Sequence, residues 1–291
     1  MTYAALARAL AAGAARSHIL DVREEFVRDF ILPSLKADAL LEGRYPMATA
    51  LGRPLIAKKL VEVAHIENAT IVAHGCTGRD DVRCGRPVRT LDPALVAMAC
   101  ADVWGLTSAQ VSAYAERLGM TVPDPAQPRT DDNLWGRTMG RGEHSELPVR
   151  AAGPARPAVV DVAFTRGVPT ALNGVTLQPV ELIASLSTMA GEHGCGRLNR
   201  VKTGADGSTS RVLYAAPAAI ALHLAHRELV ATSSGEGRPA SVAGRYTDVI
   251  DRGEWFEAER AELDASMEGL GSATGTVRLR LSDGACQVVN N

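Results

Sequence analysis

The sequence has no CxxC pair, no apolar run approaching the roughly 18 residues of a membrane span, and no excess of charge of one sign. Each absence removes a class of function. Without paired or zinc-spaced cysteines, the five that occur, Cys76, Cys84, Cys100, Cys195 and Cys286, read as reduced thiols of a cytoplasmic chain. Without a long apolar run there is no membrane helix to place. The 31 basic and 33 acidic residues are interspersed and leave a net charge of −2, so no basic face points to nucleic acid or to a membrane surface, and a small-molecule substrate becomes the default. Lysine is scarce beside alanine, arginine and glycine, which speaks of coding composition rather than chemistry. The Ala-rich opening AALARALAAGAAR has no apolar block with a cleavage site and reads as a helix rather than a targeting peptide.

What is present is enough apolar material, 46% of 291 residues, for two domains. Helices are expected over residues 4–15, 23–32 (ending near Pro33), 54–67 and 108–118, the last with Thr107 as N-cap. Between them SHILD (17–21), TIVA (70–73) and LVAMA (95–99) have strand length. Alternation of this kind predicts a mostly parallel sheet with helices on its faces. Composition changes at TVPDPAQP (121–128), where three prolines in eight residues cannot continue a helix or a central strand. The expected division is therefore a first domain over 1–122 and a second domain over 123–291. The second domain reads as α+β. It has a hairpin turning at Arg166-Gly167, helices over 178–191, 219–230 and 255–267, a mobile loop at TSSGEGRPASVAG (232–244), and final strands GTVRLRL and CQVVN.

The stretch AHGCTGRDDVRCG (73–85) follows the TIVA strand. In open α/β sheets, ligands sit beyond the carboxyl ends of strands, where backbone amides and helix starts favour anions. Gly75 and Gly78 permit close approach, Thr77 offers a hydroxyl, Asp80 and Asp81 suit an ammonium, and Arg83 suits a carboxylate, so both signs within nine residues fit a zwitterion. A solvated loop is the plainer reading of the same residues, because short glycine motifs are weak signals.

A series of separate blocks carries more weight. LLEGRYPMATALGRPLIAKKLVEVAH, VAHGCTG, DDNLWGR, GVPTALNG, PVELI, GEHGCGR, EWFEAE and GTVRLRL, in this order, resemble argininosuccinate synthase over nearly the whole chain from Asp21 to Val289. The resemblance implies an ATP-pyrophosphatase fold: a Rossmann-like parallel-sheet nucleotide-binding domain of the adenine nucleotide α-hydrolase type, truncated here, followed by an α+β synthetase domain, in a homotetramer. The implied reaction joins citrulline to aspartate using ATP and Mg2+, with release of AMP and pyrophosphate, so positioning and charge stabilisation dominate over acid-base chemistry. By the same resemblance Gly75 lies against the nucleotide, Thr77 and Asp80 contact aspartate, and Tyr45, Arg83, Thr138 and Tyr214 contact citrulline. Packing roles for Tyr45 and Tyr214, and a turn cap for Thr138, are the alternatives. No general base and no metal ligand is assigned; His18, His65, His144, His193, His223 and His226 form no recognisable set.

Departures from the family pattern are also legible. The SGGLDTS-type loop that cradles pyrophosphate and the C-terminal tail are not in the sequence, and the turn at Arg79-Asp80 is two residues shorter than the family's. Arg129 stands where the family has a serine, and Lys202 where a glutamate receives the substrate ammonium; a cation there repels that group. Three readings follow: a ligase of this family with its loop encoded upstream, a non-catalytic paralogue binding substrate or an intact synthase subunit, and a different ATP-pyrophosphatase.

Overall fold

A computed structural model describes residues 2–120, 130–140, 156–203, 209–234, 240–267 and 273–289. The first part runs α1 (Thr2–Ala11), α2 (Arg23–Phe26), a wide π turn (Val27–Ile31), α3 (Leu32–Lys36), α4 (Ala48–Glu67), β1 (Ile71–His74), α5 (Arg79–Leu91), β2 (Val96–Ala99), α6 (Cys100–Trp104) and α7 (Ser108–Arg117). β1 and β2 pair in parallel, Ile71 against Val96 and His74 against Ala99, with α5 as the crossover. The second part runs β3 (Thr130–Asn133), β4 (Gly136–Gly140), β5 (Ala158–Thr165), β6 (Val168–Leu172), β7 (Val175–Thr176), α8 (Pro179–Glu192), β8 (Arg197–Thr203), β9 (Thr209–Ala215), α9 (Pro217–Ser234), α10 (Ala240–Arg252), α11 (Ala258–Ser266), β10 (Gly275–Ser282) and β11 (Ala285–Val288). These strands form two antiparallel sheets, ordered β11-β10-β5-β6-β7 and β3-β4-β9-β8.

Local chemistry accounts for the elements that match expectation. Thr107 caps α7 in a reciprocal box: its hydroxyl accepts from the Gln110 amide while the Gln110 side chain accepts from the Thr107 amide. Arg166 and Gly167, at φ 50° and 73°, supply the two left-handed residues that a tight turn between twisted strands needs. In β10, Val277, Leu279 and Leu281 alternate inward and meet Val160 and Val162 of β5 across the ladder, under α8 and α9.

Several expectations are corrected. SHILD forms no strand; Ile19 and Leu20 are about half exposed, and no strand among the described residues pairs with them. The second helix does not stop at Pro33, because the wide turn Val27–Ile31 immediately precedes it and puts the proline at the first positions of α3, where a missing N–H costs little. The third helix begins earlier, at Ala48, after Met47 in a left-handed conformation, and carries Pro54 within it. The connector expected to be a mobile loop is helical from Ala240 onward, while residues 235–239 lie outside the described set. The charged helix starts at Ala258, since Trp255 is held in the preceding turn, stacked on Phe30 at 5.1 Å.

The apolar interior does not divide at the proline-rich stretch. A large cluster joins Phe26, Phe30, Ile31, Leu35 and Leu51 to Val160, Leu182, Leu222, Trp255 and Leu279. A small one holds Ala57, Val61, Ala64, Val72, Val88 and Leu95. α4, at about 1.5 Å per residue, is long enough to enter both: Ala48 to Leu55 lie in the large cluster and Ala57 to Ala64 in the small one. It thereby fixes the β1–α5 turn relative to the β4–β9 ladder.

Candidate functional site

Gly78 caps the start of α5, and its φ of 58° and ψ of −132° suit only glycine and turn the chain sharply into the helix. The first turn of the helix then presents Asp80 and Asp81, which complement its dipole, and Arg83 one turn on. Gly253 follows α10 with φ +70°; a Cβ there would lie 2.8 Å from the Cα of Arg83, so only glycine lets the two backbones meet this closely.

That approach is welded by charge. Arg83 donates to both the side chain and the carbonyl of Asp251, the latter at 3.1 Å, and to Asp80 at 2.8 Å. Arg79 also reaches Asp251, and Arg86 pairs with Glu254 at 2.6 Å and Glu257 at 2.5 Å. Arg53, from α4, donates to Asp80 at 3.1 Å and Asp131 at 2.8 Å. Burial works against the Arg53 charge, and the two carboxylates overcome it and hold the guanidinium protonated. Asp80 is therefore gripped by two arginines and Arg83 by two carboxylates.

The opposite wall comes from the four-stranded sheet. Register sets Thr138 of β4 directly against Tyr214 of β9, and Arg200 of β8 against Val212. Thr138 accepts a hydrogen bond from Thr49 of α4 at 3.1 Å. Burial pushes the Tyr214 phenol up, against the pull of Arg200 beside it. Between the walls lies a cavity of about 260 Å³ lined by Thr49, Asp80, Arg83, Thr138, Arg200 and Tyr214. Asp80, Arg83 and Arg200 are shared with a wider cleft of about 550 Å³ that reaches Thr77, Arg79 and Asp251.

The residues singled out from the sequence are thus distributed as follows. Asp80, Arg83, Thr138 and Tyr214 share one cavity, and Thr77 lies in the adjoining cleft. Gly75 is exposed at the end of β1 with open space where a side chain would stand. Tyr45 lies behind the wall: it is fully buried, its hydroxyl donates to the Asn199 carbonyl at 3.0 Å, and its ring packs 5.2 Å from that of Tyr214. Arg129 and His144 fall outside the described residues, and of Lys202 only the strand position, opposite Ser210, is described. Sequence reading missed Arg53, Thr49, Arg200 and Asp251. Their partners lie far along the chain, and no local spacing signals such pairs. All five cysteines are free, and no described helix is long and apolar enough to cross a membrane.

Comparison with known proteins agrees with this arrangement. Residues 3–121 match the model of the arginosuccinate synthase N-terminal HUP domain, and residues 130–291 match that of the arginosuccinate synthase C-terminal domain. The chain is similar to the argininosuccinate synthase of Dehalococcoides mccartyi, 41% identical over 303 residues that cover 97% of this chain and 74% of that protein. It is similarly related to that of Rubrobacter xylanophilus, at 40% identity with 97% and 74% covered. For Synechococcus elongatus the identity is 39%, with 97% and 76% covered.

Proposed function

This chain belongs to the argininosuccinate synthase family, and on that premise we propose that it is a carbon-nitrogen ligase joining citrulline to aspartate at the expense of ATP. The ureido oxygen of citrulline attacks the α-phosphorus of ATP and expels pyrophosphate. The aspartate amine then attacks the ureido carbon, and AMP leaves with the former ureido oxygen. Both steps need two amino acids and a nucleotide brought into line more than they need a proton relay.

The observation that carries this reading is the pair of adjoining spaces, sharing Asp80, Arg83 and Arg200, that together reach from Thr77 to Tyr214 between groups of both signs. In our assignment Gly75 leaves room for the nucleotide at the end of β1, and Thr77 and Asp80 hold aspartate. Arg83, Thr138 and Tyr214 receive citrulline, with Tyr45 stiffening Tyr214 from behind. Arg200, which lines both spaces, joins this set as the group placed between the two amino acids. The carboxylates of the cleft, Asp80, Asp131 and Asp251, are each paired with arginine. Mg2+ would accordingly enter on the phosphates of ATP, neutralising charge on the leaving pyrophosphate rather than resting on these side chains. A division at 122/123 into nucleotide-binding and synthetase domains is part of the same reading, supported by two family models matching on either side of the proline-rich stretch. So are a homotetrameric assembly and a cytoplasmic setting, for which the resemblance to the family is the support.

The test is pyrophosphate release from MgATP by the purified chain. Release that requires citrulline, and that is sustained over many turnovers only with aspartate also present, is expected; sustained turnover without either amino acid, or none at all, would contradict the assignment.

A further inference from the structure

Beneath the proposed substrate loop, three side chains not used for the ligase reaction converge. His74 ends β1, Cys76 sits in the turn, and Cys84 lies in the second turn of α5. One ring nitrogen of His74 and the two sulfurs all lie within 4.8 Å of one another. Cys84 is 1% exposed and His74 9%. The Nδ1 of His74 is shielded from solvent without a hydrogen-bond partner, and its Nε2 stands 3.6 Å from a carboxylate oxygen of Asp81, beyond hydrogen-bond length. That Nδ1 has given up water with no partner in return, although the fold brings two soft donors to the side of the ring. Spacing along the chain hid the grouping, because it runs from a strand through a turn into a helix and matches no zinc-ligand pattern.

We propose that His74, Cys76 and Cys84 form a binding site for one thiophilic divalent cation of the zinc class. One imidazole and two sulfurs make a borderline-soft donor set of the kind that selects such ions over Mg2+ or Ca2+. Asp81 brings a carboxylate beside the group, and a fourth position is left for it or for water. In the metal-free protein, burial and then the neighbouring Cys76 push the Cys84 thiol up to about 12, so it is protonated at neutral pH. Binding replaces two S–H bonds by two sulfur–metal bonds and sends two protons to solvent; two thiolates then balance the charge of the ion. Because Cys76 stands between Gly75 and Thr77, an ion held there would pin the loop assigned above to nucleotide and aspartate, a consequence that rests on that assignment while the site itself does not.

The experiment is a Co2+ titration of the full chain after reduction and chelator treatment, read by absorption. The site predicts one Co2+ per chain with thiolate-to-cobalt charge-transfer bands, displaced by an equal amount of Zn2+. Cys76→Ser and Cys84→Ala each lose the bands, and Cys100→Ser keeps them. Cys76 is in a half-exposed turn, so its variant reports even where the buried Cys84→Ala fails to fold. No charge-transfer band, or bands that survive Cys76→Ser, would overturn the proposal. The readout needs no substrate: a chain that binds Co2+ but releases no pyrophosphate sinks only the ligase reading, and the converse sinks only this one.

Discussion

The two-stranded parallel sheet of β1 and β2 and the five-stranded antiparallel sheet built on β5 and β10 solve the same problem with very different resources. β10 buries Val277, Leu279 and Leu281 beneath α9 and turns its polar positions outward. β1 and β2 cover one face with α4 and α5, while Ile71 and Val96 on the other remain 52% and 57% exposed. Parallel strands are normally covered on both faces. The small cluster of six buried residues therefore contributes little, and the position of α5 depends on attachments to elements elsewhere. These are the shared helix α4 and the ion pairs to Asp251, Glu254 and Glu257. The β1–α5 turn thus stands on a lightly packed sheet held from outside by charge.

That contrast can be broken most severely from the large sheet. Leu279→Ala, at a fully buried position, is expected to cost about 3–4 kcal/mol and to lower the urea midpoint of the cooperative transition for the whole chain. An effect confined to β10 would mean that the large cluster is not one unit. Next comes the ionic attachment. Asp251→Asn removes the carboxylate shared by Arg79 and Arg83, and is expected to cost about 2 kcal/mol. Amide hydrogen exchange should rise in β1 and α5 and stay unchanged in α8 and α9; uniform exchange across all four would show that charge is not what holds α5. Thr107→Ala, which opens the cap of α7, is expected to cost about 1 kcal/mol. Its exchange signature should stop at that helix.

The smallest signal is a slope. Asp38, between α3 and α4, accepts from His223 at 2.9 Å and from Arg227 at 2.6 Å, both on α9. Burial alone would raise its carboxyl, but the His223 and Arg227 contacts outweigh it and hold the group below the ordinary aspartate range. A depressed folded-state value gives stability that is fully present above the unfolded value of about 4 and is lost as pH falls through the folded one. Urea midpoints measured from neutral pH downward should therefore fall below about pH 4, and less steeply for Asp38→Asn. Equal slopes would remove Asp38 from the acid sensitivity of the fold.

What could be read from the sequence was local. The Thr107-Gln110 cap, the Arg166-Gly167 turn and the alternation of GTVRLRL each fix a conformation within a few residues, and each formed as expected. SHILD had the length of a strand and lacked a neighbour to pair with, which no window of five residues reveals. Pro33 reads as a stop until the wide turn ahead of it is seen. In the candidate site the ordered blocks located Asp80, Arg83, Thr138 and Tyr214, which meet because β4 and β9 are in register and α4 spans two cores. Arg53 and Asp251 were invisible for the opposite reason. Their bonds close loops of 27 and 168 residues and are set by the docking of α5 on α4 and α10.

The proposed chemistry has one direct test, the fate of the ureido oxygen. With citrulline carrying a heavy-oxygen label at that atom, together with MgATP and aspartate, the account predicts that the label appears in the phosphate of AMP, one atom for each molecule formed. AMP without label, or hydrolysis of ATP to ADP, would mean that the cleft does not bring the ureido oxygen to the α-phosphorus, and the ligase reading would fall.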